Sequence, residues 1–405
     1  MRGFQLSLRN DPPQSIEEMR QAALRRLPAM VSAYLESGAE DMVTLARNQS
    51  AYGRTSLRMR ALTGFAAPKT GSVMCGESVS IPLALAPTGA SGLFHRDADL
   101  ATFRAAERAG TRAALSTAAS IAMEDVAEAT EHRHWFQLYP SGDSDMVGRL
   151  IDRAAQAGYS ALFVTVDMPV PGNRNAERAA GMGLPMRLNP RRLANLAMHP
   201  RWLWSVARHK RFVPVHMVNE GRRDGTSTVV SASAAQRQMG EITSKQSRLM
   251  QSTLDWNDLA WIRDKWKGRL YVKGILDVED ADRLAGLGWL DGIIVSNHGG
   301  RQLDRSQSTL SALRAIAAEV GSKTELYLDG GVRRGTDIIA AMCCGARGVF
   351  IGRPYLYGLA CGGEQGVQQV LSIFADELRR AMILMGCPDV RELGPQWLAG
   401  QELPD

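Results

Sequence analysis

Cysteine is scarce in this 405-residue chain. Its five cysteines, Cys75, Cys343, Cys344, Cys361 and Cys387, form no CxxC and have no histidine at ligand spacing. Neither a disulfide framework nor a zinc site is expected, no metal is called for, and a reducing, cytosolic compartment fits. No run of about 18 apolar residues occurs, so no spanning helix is expected. The first residues, Met1 to Gln14, lack the apolar stretch of a cleaved signal peptide. Low-complexity tracts are also missing. With 45% hydrophobic, 22% charged and 6% aromatic residues, the chain is neither disordered nor fibrous in type.

Basicity is present, but in one place. Between Arg187 and Arg223 there are nine Lys or Arg residues and one acid, Glu220, a local charge of +8 against +6 for the whole chain. The remainder therefore carries about −2, and a general nucleic-acid-binding surface is not supported. This segment also holds Trp202 and Trp204 beside Arg201, Arg208, Lys210 and Arg211. Aromatic rings with cations are the ingredients of an interfacial anchor on anionic lipid. The same residues also suit an insertion packed on its own barrel or on a neighbouring subunit.

Eight short apolar runs recur: Ile81–Ala86, Arg112–Ser116, His134–Tyr139, Ala161–Asp167, Leu270–Lys273, Gly292–Asn297, Glu325–Asp329 and Gly348–Gly352. Most are continuous rather than alternating, as in strands buried on both faces of a parallel sheet. Helical patterns lie between them, at Asp99–Ala109, Ser144–Ala157, Asn257–Lys267, Val278–Leu287, Thr309–Val320 and Thr336–Cys344. Eight βα units predict an α/β fold, a (β/α)₈ TIM barrel, with an open doubly wound sheet as the alternative. Ser15-Ile-Glu-Glu18 has the form of a capping box opening an N-terminal helix. A second helix over Val31–Ser37 stops at Gly38, and Glu364–Met385 reads as a long final helix. The reading is one domain: a helical cap over about 1–80, a barrel over 81–360 and a C-terminal helix over 364–386. An insertion after the fourth strand, about 168–256, is far longer than the usual βα loop.

Barrel active sites lie at the C-terminal ends of the strands. The sixth run ends in SNHGGRQLD, Ser296 to Asp304, where His298 can act as a base near neutral pH and Arg301 can grip a carboxylate. The seventh ends in LDGGVRRGTD, Leu328 to Asp337, and the eighth in IGRP, Ile351 to Pro354. Glycine-rich turns followed by arginines after strands seven and eight suit a phosphate group. The fifth run closes on Lys273, which could form a Schiff base, hold a phosphate or balance charge on a cofactor ring. The third and fourth close on Gln137 and Tyr139 and on Thr165 and Asp167, the second on Ser116, and the first leads into APTG, Ala86 to Gly89.

These motifs, in this order, resemble the FMN-dependent 2-hydroxy-acid oxidase and dehydrogenase family from about Leu27 to Cys387. The resemblance implies FMN as cofactor and a role for each position. His298 looks like the base and Asp167 like the carboxylate that orients it. Arg174 and Arg301 resemble the arginines that clamp the substrate carboxylate, and Tyr34 and Tyr139 the tyrosines that bond its polar groups. Lys273 resembles the lysine beside the flavin ring. Pro87, Thr88, Gly89, Ser116, Gln137 and Thr165 match ring contacts. Ser296, Asp329, Gly330, Gly331, Arg333, Gly352 and Arg353 match the ribityl and phosphate site. Gly89 resembles the dehydrogenase branch, where oxidases commonly carry Ala. Ala118 stands where glycolate oxidase has Trp, leaving room for a larger substrate. HPRW and GCPDVREL look most like bacterial (S)-mandelate dehydrogenase, while TVDMPVPG also looks like bacterial L-lactate dehydrogenase.

The expected function is oxidation of an (S)-2-hydroxy acid, mandelate-like or L-lactate, to the 2-oxo acid, with electrons passed to a membrane quinone or similar acceptor. The alternatives are an O₂-using oxidase and, in another class, a flavin-binding isomerase barrel on a phosphorylated substrate, against which the carboxylate clamp argues. A non-enzymatic lipid- or nucleic-acid-binding protein built around Arg187–Arg223 is the third rival. Peripheral membrane contact through about 187–223, on the inner face of the cell membrane, and a homo-oligomer (a tetramer by resemblance) complete the expectations. No predicted site residue lies in Asn195–Val218, so its removal is expected to leave flavin reduction intact.

Overall fold

The computed structural model describes residues 12–64, 66–140, 143–182, 189–209, 214–218 and 254–400. Eight strands form one parallel sheet: β1 (Leu83–Leu85), β2 (Ala114–Ser116), β3 (Trp135–Leu138), β4 (Ala161–Thr165), β5 (Arg269–Ile275), β6 (Gly292–Val295), β7 (Glu325–Asp329) and β8 (Val349–Ile351). Each pairs with the next from β2 to β8, and β8 pairs back with β1, Phe350 opposite Ala84. One parallel bridge, Leu85 with Ala113, joins β1 to β2, where the Leu85 N–H donates to the Arg112 carbonyl at 3.0 Å. The expected TIM barrel is the observed architecture.

Strand periodicity explains both the core and the site. Alternate residues point into the barrel. Ala84, Ala114, Trp135, Ala161, Phe163, Tyr271, Ile294, Tyr327 and Phe350 meet there as one buried cluster. The residues between them, such as Leu83, Leu115, Phe136, Leu162, Val272, Ile293, Leu326 and Val349, face the helices and join the larger core. Burying each large side chain contributes about 1.5–3 kcal/mol. Two residues beyond the inner cluster, toward the C-terminal end, the inward positions become Ser116, Gln137, Thr165, Lys273, Ser296 and Asp329. An apolar plug thus carries a polar layer.

The bottom of the barrel is closed by a hairpin that the sequence reading did not separate, Ser72–Met74 with Glu77–Val79. Met74 and Cys75 are buried in the inner cluster, and the Cys75 N–H donates to the Tyr327 hydroxyl at 2.8 Å.

Three helices precede the barrel: α1 (Ile16–Arg26), α2 (Ala29–Glu36) and α3 (Val43–Gly53). The expected capping box is half formed. Ser15 Oγ accepts from the Glu18 N–H at 3.2 Å, but the Glu18 carboxylate accepts from the Gln14 N–H. The last helix begins earlier than expected, at Arg353, and runs to Met385 with a break at Gly362 and Gly363. At Gly363, φ is +58°, and a side chain would strike the His95 ring.

The insertion after β4 carries helices Asn175–Ala180, Pro190–Ala197 and Pro200–His209 and a turn of helix at Val215–Val218. Arg187, Lys210, Arg211, Glu220, Arg222 and Arg223 lie outside the described residues. The two tryptophans diverge. Trp202 is partly buried against the core and its indole N–H donates to the Leu93 carbonyl at 2.8 Å. Trp204 is 67% exposed, with Arg208 over its ring. Among the described residues, no helix is long and apolar enough to cross a membrane.

Candidate active site

The polar layer holds two hydrogen-bonded sets of side chains. Ser116 Oγ donates to Gln137 Oε1 at 3.0 Å, and Gln137 Nε2 donates to Thr165 Oγ1 at 2.9 Å. Across the barrel, Lys273 Nζ donates to Ser296 Oγ at 2.7 Å and pairs with Asp329 at 2.9 Å, while Ser296 Oγ donates to Asp329 Oδ1 at 2.7 Å. Lys273 is 4% exposed. Burial pulls its ammonium down, but Asp329 and Asp167 more than restore it, and it lies above its ordinary value. The result is a fixed cation with a resident counter-charge.

Beside this layer stands His298, at φ +58°, a conformation that costs a non-glycine residue about a kcal/mol or more. Its N–H donates to Ser296 Oγ at 3.1 Å. Its Nδ1 faces the Asp167 carboxylate at 3.1 and 3.2 Å, and its Nε2 lies 3.3 Å from the Tyr139 hydroxyl. A carboxylate can only accept, so Nδ1 carries the proton and Nε2 the lone pair. Burial pushes the Asp167 carboxyl up, and His298 and Lys273 outweigh it, leaving the group below the usual carboxylate range. Gly274 is required by this packing, since a side chain there would meet Asp167 Cβ at 2.6 Å.

The arginines complete the mouth. Arg301 donates through one terminal nitrogen to the Tyr34 and Ser37 carbonyls at 2.9 and 3.0 Å, and through the other to Glu177 at 2.7 Å. Its guanidinium lies over the Tyr34 ring. Arg174 lies 3.9 Å from Glu177, and its buried Nε has no partner. Tyr34 donates to the Gly89 carbonyl at 3.3 Å and stacks on Phe94. Gly89 itself lies against Ala118: a Cβ added there would sit 2.9 Å from Ala118 Cβ.

The turns after β7 and β8 are placed as expected, with one difference. Gly330 and Gly331 adopt φ +101° and +83°, and Arg333 lies at the same turn with its N–H on Asp337. Arg353 follows Gly352, but its guanidinium donates to the Leu35, Ser37 and Gly299 carbonyls at 2.8–3.0 Å. With Arg301 it satisfies carbonyls that the end of α2 would otherwise leave open. Thr88 shares a hydrogen bond with Tyr355, which donates to the Ala86 carbonyl beside Pro87.

Several supporting residues escaped the sequence reading. Asn48 on α3 and Asn297 exchange two side-chain hydrogen bonds of 2.8 Å, and Asp304 accepts from the Asp41, Val43 and Thr44 N–H groups at the start of α3. Gln302 donates to the Asp167 carbonyl at 2.8 Å. Only Glu177 had a local signal, its spacing of three from Arg174 on a helix. The others act across more than a hundred residues.

The match to known proteins decides the family. The model of the FMN-dependent dehydrogenases matches residues 23–400. This chain belongs to that family. The FMN-dependent dehydrogenases similar to it include an L-lactate dehydrogenase of Caulobacter vibrioides, 39% identical over 95% of this chain and 97% of the relative. An L-lactate dehydrogenase of Allorhizobium ampelinum is 37% identical over 95% of this chain and 98% of its own. Among solved structures, the monotopic membrane protein (S)-mandelate dehydrogenase superposes with a TM-score of 0.86 at 34% identity, covering 96% of this chain and all of that one.

FMN is the cofactor of this FMN-dependent dehydrogenase family, and the residues present fit it. The polar layer offers donors and acceptors in a buried ring. Lys273 is a cation suited to an electron-rich ring, and the left-handed glycines at 330 and 331 free backbone for an anion.

Proposed function

We propose that this protein oxidises an (S)-2-hydroxy acid, mandelate-like or L-lactate, to the 2-oxo acid. One observation carries the reading: a histidine with Nδ1 tied to the Asp167 carboxylate has its Nε2 beside the Tyr139 hydroxyl, on a motif whose Arg301 lies over the Tyr34 ring. FMN, when bound, supplies the two-electron acceptor. Ser116, Gln137, Thr165, Lys273 and the backbone over Pro87, Thr88 and Gly89 would hold its ring. Ser296, Asp329, Gly330, Gly331, Arg333 and Gly352, with the backbone of Arg353, would hold the ribityl chain and phosphate.

Arg174 and Arg301 bind the substrate carboxylate, and Tyr34 and Tyr139 orient it. Burial, and then Asp167, push the Tyr139 phenol up, so it stays protonated and donates. The substrate proton goes to His298 Nε2, and the resulting imidazolium is stabilised by Asp167. The test is anaerobic flavin bleaching with glycolate, L-lactate and (S)-mandelate. Bleaching by the larger (S)-acids supports the reading, and no bleaching by any of them overturns it.

The acceptor is a membrane quinone in this reading, met by peripheral attachment at the inner face of the cell membrane. Exposed Met198, Leu193 and Trp204 on the insertion helices, and a solved relative named as monotopic, support it. Faster reoxidation by a soluble quinone than by O₂ is the expected result, and the reverse points to an oxidase. The working form is a single-domain subunit in a homo-tetramer, checked by sedimentation.

A further inference from the structure

Glu177 is an ionisable group to which the reading above gives no task. It sits on the short helix Asn175–Ala180 and is 6% exposed. Its Oε1 accepts from Arg301 at 2.7 Å and from Ser37 Oγ at 2.8 Å, while Oε2 lies 3.9 Å from Arg174. The two arginines repel each other: burial, and then Arg301, hold the Arg174 guanidinium below its ordinary value, with Glu177 opposing. A partly buried pair of cations needs a counter-charge.

The donor count divides the labour between the arginines. Three of the five N–H groups of Arg301 are engaged by Tyr34, Ser37 and Glu177. Arg301 is thereby tied to the end of α2. The Nε of Arg174 is buried and unengaged.

We propose that Glu177 is the positioning residue of the arginine pair: it locks Arg301 against α2 and leaves the clamp with one net positive charge, matched to one incoming carboxylate. This rests on the 2-hydroxy-acid reading. Without Glu177 the clamp carries a second unbalanced positive charge, which favours any carboxylate, while Arg301 is no longer held where turnover needs it. Affinity and turnover should therefore move in opposite directions, which general damage to the pocket does not produce.

The experiment compares the FMN-loaded wild type with Glu177→Gln, which is close in shape and uncharged, and Glu177→Asp. Phenylacetate, a carboxylate with no hydroxyl to oxidise, is titrated by its perturbation of the flavin spectrum, and kcat is measured with the best 2-hydroxy acid. Expected for Glu177→Gln is a kcat at least about 10-fold lower with phenylacetate bound as tightly as in wild type or tighter, and partial recovery of kcat in Glu177→Asp. Wild-type kcat in Glu177→Gln overturns the proposal. So does a fall in kcat matched by weaker phenylacetate binding, which makes Glu177 a packing group only. If no 2-hydroxy acid bleaches the wild-type flavin, the parent reading fails, and the phenylacetate titration still reports on the charge of the arginine pair.

Discussion

Asp167 and His298, 131 positions apart in sequence, face each other at 3.1 Å with the imidazole Nδ1 toward the carboxylate. The contact selects the tautomer whose Nε2 is free to take a proton. His298→Ala should keep its flavin and lose substrate reduction by roughly 10²–10⁴. Asp167→Asn should lose less than His298→Ala but well over 10-fold, since the ring remains and its orientation does not. Stopped-flow bleaching measures both, and a near-normal rate in His298→Ala would overturn the assignment of the base.

The arginines give a second expectation. Arg174→Lys should raise KM and lower kcat together, because an ammonium cannot reproduce the planar grip of a guanidinium. Arg301→Lys should do the same and also lower the melting temperature, since it abandons carbonyls of α2 as well as substrate. Steady-state kinetics and thermal melts separate the two. Wild-type kinetics in both would place the carboxylate elsewhere.

Substrate size is expected to depend on Ala118. Gly89 is hemmed in by it, so the room in this wall is set by the residue at 118 rather than by the missing side chain at 89. Ala118→Trp should lose (S)-mandelate turnover far more than L-lactate or glycolate turnover. Gly89→Ala should disturb the wall through a 2.9 Å contact and lower activity on every substrate. Equal losses of large and small substrates in Ala118→Trp would count against the assignment.

Acid should destabilise the fold through two buried histidines. Burial, and then Arg112 and His132, push His134 down to about 3. Burial, and then Arg153, push His216 down to about 3 against the pull of Glu124. Below about pH 6.5 the unfolded chain takes up protons that the folded chain refuses, so stability rises with pH between about 3 and 6.5 and falls on acidification. At pH 4.5 each site costs about 2–3 kcal/mol. Melting temperatures from pH 7 to 4.5 should fall, and His134→Asn should flatten the slope. An unchanged slope in that variant would contradict the sign or the size of the shift.

The packing role of the insertion and its proposed membrane contact can be distinguished by separate variants. Asn195 Oδ1 accepts from the Ala29 N–H at 2.8 Å at the start of α2, Trp202 holds Leu93, and the Val215 N–H donates to the Ala119 carbonyl at 3.1 Å. These three attachments neighbour Tyr34's helix, Phe94 and Ala118. Deleting Asn195–Val218, which looked harmless from the sequence, should therefore raise KM several-fold. Replacing Leu193, Met198 and Trp204 with Ser should abolish low-salt co-sedimentation with anionic vesicles and leave flavin reduction unchanged. Trp202→Phe should do the opposite. If the wild type fails to sediment at low salt, the insertion is a packing element and the electron acceptor is to be sought in solution.

Much of this was readable in the residues alone. Eight apolar runs with helices between them defined the barrel, because a strand buried on both faces has nowhere to put polar side chains until it ends. For the same reason the first polar residues after each run, from Ser116 to Asp329, marked the layer where a cofactor could lie. Motif order then supplied His298, Arg301 and the glycine-rich turns after β7 and β8. What the sequence could not contain was the partnership between distant parts. Glu177 between two arginines, Asn48 paired with Asn297, Arg353 turned toward the end of α2, and Trp202 bonded to Leu93 join segments separated by up to 318 positions. Local periodicity records which face of a strand or helix is buried, but it carries no record of which carbonyl or carboxylate waits on the other side. Only the closing of the barrel, with α2 and α3 drawn across its mouth, brought those groups within hydrogen-bond reach.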